Sequence, residues 1–323
     1  MKQKFLVFLL LNLSQTSLAF PSFWGFFGHQ KINRLAIFTL PPEMIGFYKK
    51  HLPYIVEHSV SPDARRYAVK EEAPRHFIDL DAYPADSVLK IHAFWTDAVK
   101  YYSEDSLMRH GIVPWHIQHM KFKLTKAFEE KDTLQILRYS AEIGHYIADA
   151  NVPLHTTKNY NGQLTGQNGI HAFWESRLVE LYSDKYNFFV GKACYLKSTQ
   201  KRAWDAVYQA NACLDSVLNF EQNLSQSTKK NKKYSIDERN NQNVKTYSRE
   251  FSEKYHNALH SQVERQMRSS IKMIGDFWFT CWVDAGQPNL SPLMDFELSK
   301  SLQMEEAKEK KSWFSRIFSA RDE

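Results

Sequence analysis

Residues 131–155 read KDTLQILRYSAEIGHYIADANVPLH. Apolar residues recur at three- and four-residue steps, the period of a helix with one face turned to a core. That helix has to stop near Pro153, because proline lacks an amide donor and restricts the residue before it. On it His145 and Asp149 stand one turn apart on one face, so an imidazole and a carboxylate can converge on one ion. His155 follows the proline and can swing round the helix end toward the same cavity. The next helical stretch, IHAFWESRLVELY from Ile170 to Tyr182, repeats the device with His171 and Glu175. Three histidines and two carboxylates thus fall within 31 positions. Nitrogen and oxygen ligands without thiolate suit zinc with open coordination positions.

A single histidine–acid pair at this spacing is more commonly a weak surface contact. Two such pairs, with a histidine after a helix-ending proline, are harder to dismiss. Other histidines act as controls. His256 and His260 are also four apart but have no carboxylate or proline beside them, so they read as helix-face residues. His116 and His119 flank a helix start at Trp115 and read as structural or exposed.

Outward from this centre the chain is helical by pattern. Lys31 to His58 reads as two helices broken at Pro41 and Pro42. AYPADSV (82–88) is a turn, with Asp86 or Ser87 able to start the next helix. LKIHAFWTDAVKYY, WHIQHMKFKLTKAFEE and CYLKSTQKRAWDAVYQANACLDSVLNF carry helical patterns, and TTKNYNGQLTGQNG (156–169) is a polar loop. Residues 224–250, basic and asparagine-rich, read as a surface insertion. Residues 251–285 read as one long amphipathic closing helix. With 11 glycines and 11 prolines in 323 residues, and no repeat or internal linker, one all-α domain over 20–290 is expected. The net charge of +6 is mild and does not by itself indicate nucleic-acid binding.

The N-terminus carries a basic MKQK, an apolar FLVFLLLNL and a small-residue end at Ala19. That is the pattern of a signal peptide over 1–19, hence of an exported, periplasmic or secreted chain. The apolar run is too short to span a bilayer, so no transmembrane anchor is expected. Cys194, Cys213 and Cys281 make no disulfide scaffold. The charged tail, 291–323, carries WFSRIF, a small aromatic cluster suited to membrane-surface contact, although a frayed tail is the plainer expectation.

GHYIADANVPLH followed by HAFWE resembles the zinc-dependent phospholipase C signature, shared in outline with the single-strand-specific zinc nucleases. The resemblance runs from Trp24 to Glu175, with the C-terminal helix as a further counterpart. It implies an all-helical, monomeric protein with three zinc ions in a cleft. WGFFGH resembles the mature N-terminus of the nucleases and implicates Trp24, through its backbone, and His29. SPDARR places Asp63, and RHFIDLD supplies His76 thirteen residues later. By resemblance Asp63, His76, His145 and Asp149 hold one zinc. Asp149 bridges to a second, held with His29 and Trp24, and His155, His171 and Glu175 hold the third.

The resemblance further implies hydrolysis of phosphodiester bonds by metal-activated water, with Asp63, Arg66 and Asp149 as the catalytic residues. Arg66 matches a phosphate-contacting residue, and Phe77 and Asp79 match the nuclease's base-stacking and base-contacting pair. The same HF-x-D pattern occurs in the phospholipases, and Glu175 is their choice where the nucleases use aspartate. The substrate class, phospholipid or single-stranded nucleic acid, stays open. One departure concerns Trp24: family members begin at this residue and use its amine, whereas cleavage after Ala19 leaves FPSF ahead of it. The zinc at His29 is then expected to bind weakly or to take another ligand. A non-catalytic zinc-binding or envelope interaction module is the alternative, since a fold and its ligands do not guarantee turnover.

Overall fold

From Ser140 to Asp149 every residue of one helix is buried, so that helix must have neighbours on all sides. A computed structural model supplies them; it describes residues 25–84, 91–239 and 242–296. In chain order the helices are α1 (Gly25–Ala36), α2 (Pro42–Lys50), α3 (Leu52–His58), α4 (Ser61–Arg65), α5 (Trp95–Tyr102), α6 (Glu104–His110), α7 (Val113–Glu130), α8 (Thr133–Asp149), α9 (Ile170–Ala172), α10 (Leu178–Tyr182), α11 (Thr199–Asn211), α12 (Leu214–Ser227) and α13 (Lys230–Lys233). Strands β1 (Tyr234–Arg239) and β2 (Gln242–Tyr247) follow, then α14 (Arg249–Ala258) and α15 (Gln262–Asp284). The described chain is mostly helical, as the pattern predicts.

Helix α8 packs against α7, α15, α1 and α3. Its start is set locally: α7 ends at left-handed Lys131, and Asp132 Oδ1 then accepts the Gln135 amide at 3.0 Å as an N-cap. Its approach to α1 depends on Gly144. A Cβ there would meet the Asn33 side-chain amide, with Cγ only 2.9 Å away. Asn33 is itself tied to the His29 carbonyl at 3.0 Å, so it cannot yield freely. Gly144→Ala should therefore lower stability by about 1–3 kcal/mol through overpacking. A denaturant midpoint equal to the parent's would show that the helices have room.

Several boundaries differ from the sequence expectation. The Lys31–His58 stretch holds α1, α2 and α3, not two helices, because Pro42 and Pro53 sit in first turns, where a missing amide costs nothing. The closing helix is two, α14 and α15, separated where His260 and Ser261 take positive φ of 47° and 60°. Residues 91–94 and 194–197 are not helical. Within the polar insertion the chain forms a hairpin: β1 and β2 pair antiparallel, with Tyr234 opposite Tyr247. Tyr247 stacks on Phe173 at 3.7 Å, and Asp237 accepts from Arg177 at 2.8 Å. The hairpin thus buttresses residues Phe173–Arg177, which are wound as a π-helix between α9 and α10.

The signal-peptide residues, Trp24, the turn at Asp86 and Ser87, and the WFSRIF cluster all lie outside the described residues. Among the described residues no helix is long and apolar enough to cross a membrane. Cys194, Cys213 and Cys281 are free thiols.

Candidate metal centre

Six segments deliver the ligands. Helix α1 brings His29, α8 brings His145 and Asp149, and the turn after Pro153 brings His155. The fourth, the π-wound stretch, brings Glu175 one turn beyond His171, at a helical irregularity of the kind often found at functional sites. Asp63 on α4 and His76, at the end of the 3-10 turn Ala73–His76, complete the set. The residues after His76 are held on both sides. Ile78 donates to the His155 carbonyl at 2.9 Å, while Val113 donates to the Phe77 carbonyl at 3.2 Å. Gly111, at φ 86°, passes so close that a Cβ would lie 2.6 Å from the Phe77 carbonyl carbon, and only glycine fits.

Three groups of ligand atoms result, each gathered within 4.8 Å: His29, His145 and Asp149; Asp63, His76 and His145; His155, His171 and Glu175. All seven candidate ligands from Asp63 to Glu175 are buried here, as is His29. The structure therefore brings together every candidate ligand within its described residues. The two controls stay apart. His256 hydrogen-bonds the Tyr186 hydroxyl at 2.8 Å and stacks on Tyr182. His116 packs edge-on against Tyr146. His256→Ala should accordingly leave metal content unchanged by elemental analysis.

The hydrogen bonds fix which ring nitrogens face inward. His145 Nδ1 donates to the Ser59 carbonyl at 2.8 Å, His155 Nδ1 to that of His76 at 2.7 Å, and His171 Nδ1 to that of Tyr160 at 3.2 Å. When each ring is neutral, its Nε2 carries a lone pair. Yet His155 Nε2 and His171 Nε2 face one another at 3.1 Å, with Glu175 Oε2 against both. His145 Nε2 likewise faces His76 Nδ1 at 3.1 Å beside Asp149. Lone pairs and carboxylates at these separations repel unless a cation lies between them. Asp63 Oδ2 and Glu175 Oε1 are in addition buried without a hydrogen-bond partner. The donor set fits metal ions.

Without metal, protons take that place unevenly. Burial opposes charge on His155, but Asp149 and Glu175 outweigh it and raise the ring to about 9. Burial, with His145 nearby, lowers His29 to about 4. Burial works against ionising Glu175, but His171 and His155 bring it down to about 2. Asp149 is held well below the ordinary range by His145 and His155 despite its burial.

The centre opens on a cleft of about 400 Å³ lined by Arg66, Phe77, Asp79, Lys158, Tyr160 and the ligands His76, His155 and His171. The three residues assigned to substrate by resemblance thus line one cleft. Burial raises Asp79 to about 6, reinforced by Asp81. A larger cavity, about 840 Å³, contains none of the ligands and lies behind Glu72 and Tyr146, so size alone does not mark the site. No family model matches the chain, and no curated protein matches it either.

Sequence patterns missed Lys158 and Tyr160, which stand in a loop without periodicity. They also missed Glu72, which sits four residues before His76 at 3.6 Å from its Nε2. That is the spacing of the other histidine–acid pairs in reverse order, a signal the sequence does carry.

Proposed function

We propose that the chain is a metal-dependent hydrolase of phosphodiester bonds built on the phospholipase C and zinc nuclease plan, with zinc as its cation. One observation carries the proposal: buried, lone-pair-bearing groups from separate segments converge in adjoining sets beside a cleft lined with cationic and aromatic side chains. Asp63, His76, His145 and Asp149 would hold one ion, His29 and Asp149 a second, and His155, His171 and Glu175 a third. Bound there, divalent cations supply an acidified water and positive charge for phosphoryl oxygens.

The chain's own residues do the rest. Arg66, whose Nη1 is 3.8 Å from Asp63 Oδ1, reaches into the cleft and can neutralise a phosphoryl oxygen. Asp63, whose Oδ1 lies 3.7 Å from His145 Nε2 and 3.8 Å from His76 Nδ1, can orient the nucleophile. Phe77 and Tyr160 offer flat apolar surface to the groups flanking the phosphate, and Lys158 adds charge. Asp79, raised to about 6 by burial and Asp81, can carry a proton. Export of the chain belongs to the same proposal.

The test is to load the purified protein with zinc and offer single-stranded DNA and phosphatidylcholine side by side. Turnover of one identifies the substrate class. Full zinc uptake with hydrolysis of neither would overturn the enzyme and leave a binding module.

A further inference from the structure

We propose that Glu72 is the positioning residue for His76, the ligand at the end of the 3-10 turn Ala73–His76; the inference rests on the metal-centre assignment above. His76 lies between two carboxylates. Its Nδ1 faces Asp149 Oδ2 at 2.9 Å, and its Nε2 faces Glu72 Oε1 at 3.6 Å. The ring is 1% exposed, so neither nitrogen can turn to water. A cation on Nδ1 leaves a neutral ring with its one proton on Nε2, and that N–H needs an acceptor inside the protein. Glu72 stands where that acceptor must be. At 3.6 Å the pair is beyond hydrogen-bond length, and closing it requires the ring to turn.

The surroundings show that Glu72 is built into place. Its side chain is fully buried, and an isolated carboxylate there would not stay ionised. Arg75 Nη1 meets Oε2 at 2.7 Å and Arg65 Nε meets it at 3.3 Å, while the Tyr146 hydroxyl donates to Oε1. Arg65 is anchored in turn by Glu142 at 2.6 Å. These groups form the wall between the metal centre and the 840 Å³ cavity. A carboxylate behind a ligand histidine fixes the ring's tautomer and raises its basicity, and removing such a partner typically costs about 10–100-fold in metal affinity.

The experiment is zinc titration of chelator-stripped protein, comparing parent, Glu72→Ala and Glu72→Gln. Glu72→Ala should weaken one binding step by about 10–100-fold and leave the others unchanged. Glu72→Gln keeps an acceptor oxygen and should recover part of the loss. Equal affinities in both variants would overturn the inference while leaving the metal centre standing. A parent chain that takes up no zinc would overturn both. Because Glu72→Ala strands two arginines and can fail to fold, the zinc-loaded parent supplies an independent answer. Nitrogen-15 spectra of its histidines, with His76 assigned by loss of its signals in His76→Asn, should place the proton on Nε2. A proton on Nδ1 would overturn the inference by itself.

Discussion

Asp149→Asn should lose more than one metal ion per chain and, if the protein hydrolyses phosphodiesters, slow that reaction by at least about 10²–10³-fold. The expectation rests on how the two carboxylate oxygens divide. Oδ1 faces His29 Nε2 at 3.5 Å, whereas Oδ2 faces His76 Nδ1 at 2.9 Å and His145 Nε2 at 3.3 Å. The oxygens thus address different ligand groups, as a bridging carboxylate does. Asparagine keeps the shape but offers one neutral oxygen and a donor, so it cannot complete both groups. Asp149 also supplies much of the negative field that offsets the buried rings of His145 and His155. Elemental analysis of the purified variant decides the matter. Loss of one ion or none would remove the bridge from the assignment.

Stripping the metals should destabilise the fold and make it sensitive to alkaline pH. Ions present at about 1,000 times their dissociation constant each contribute about 4 kcal/mol, and for a chain of this size each kcal/mol moves the midpoint by at least roughly 2 °C. Removing the full set should therefore lower the melting midpoint by well over about 10 °C. The metal-free protein then depends on protons. His155 moves from 6.5 in the unfolded chain to about 9 in the folded one, so its contribution is complete below pH 6.5 and lost as pH rises through about 9. At most this is on the order of 3 kcal/mol.

On the acid side the sign is opposite. His29 is lowered to about 4, so folding favours its neutral ring and stability falls as pH drops from 6.5 through about 4. Glu175, lowered to about 2, gives a contribution present above pH 4.5 and lost as pH falls through about 2. Metal-free stability should peak near pH 6.5, while the loaded protein resists the alkaline decline because its inward nitrogens are already occupied. Thermal melts of both forms between pH 5 and 9 check this. Identical curves would mean that the buried groups hold no ion.

The ligands at short range were legible in the chain because helix geometry is local. A four-residue step puts His145 over Asp149, and His171 over Glu175, whatever the rest of the protein does. Pro153 ends α8 through its own missing amide, and so places His155 past the helix end. The hairpin at β1 and β2 was harder to see. Its polar, basic composition resembles a loop, and only Phe173 and Arg177, far off in sequence, give Tyr247 and Asp237 something to pack against. The break between α14 and α15 was hidden because His260 and Ser261 carry no glycine signal for their positive φ.

By itself the sequence determined a helical chain and the ligand pairs one turn apart, because backbone periodicity and proline chemistry act between near neighbours. Only the tertiary structure decided that His29, Asp63 and His76 reach the same centre as α8, that Gly144 lets α1 approach, and that Glu72 stands behind His76. Those juxtapositions join residues with no local relation, and they follow from burying α8 on every side, which no periodicity records.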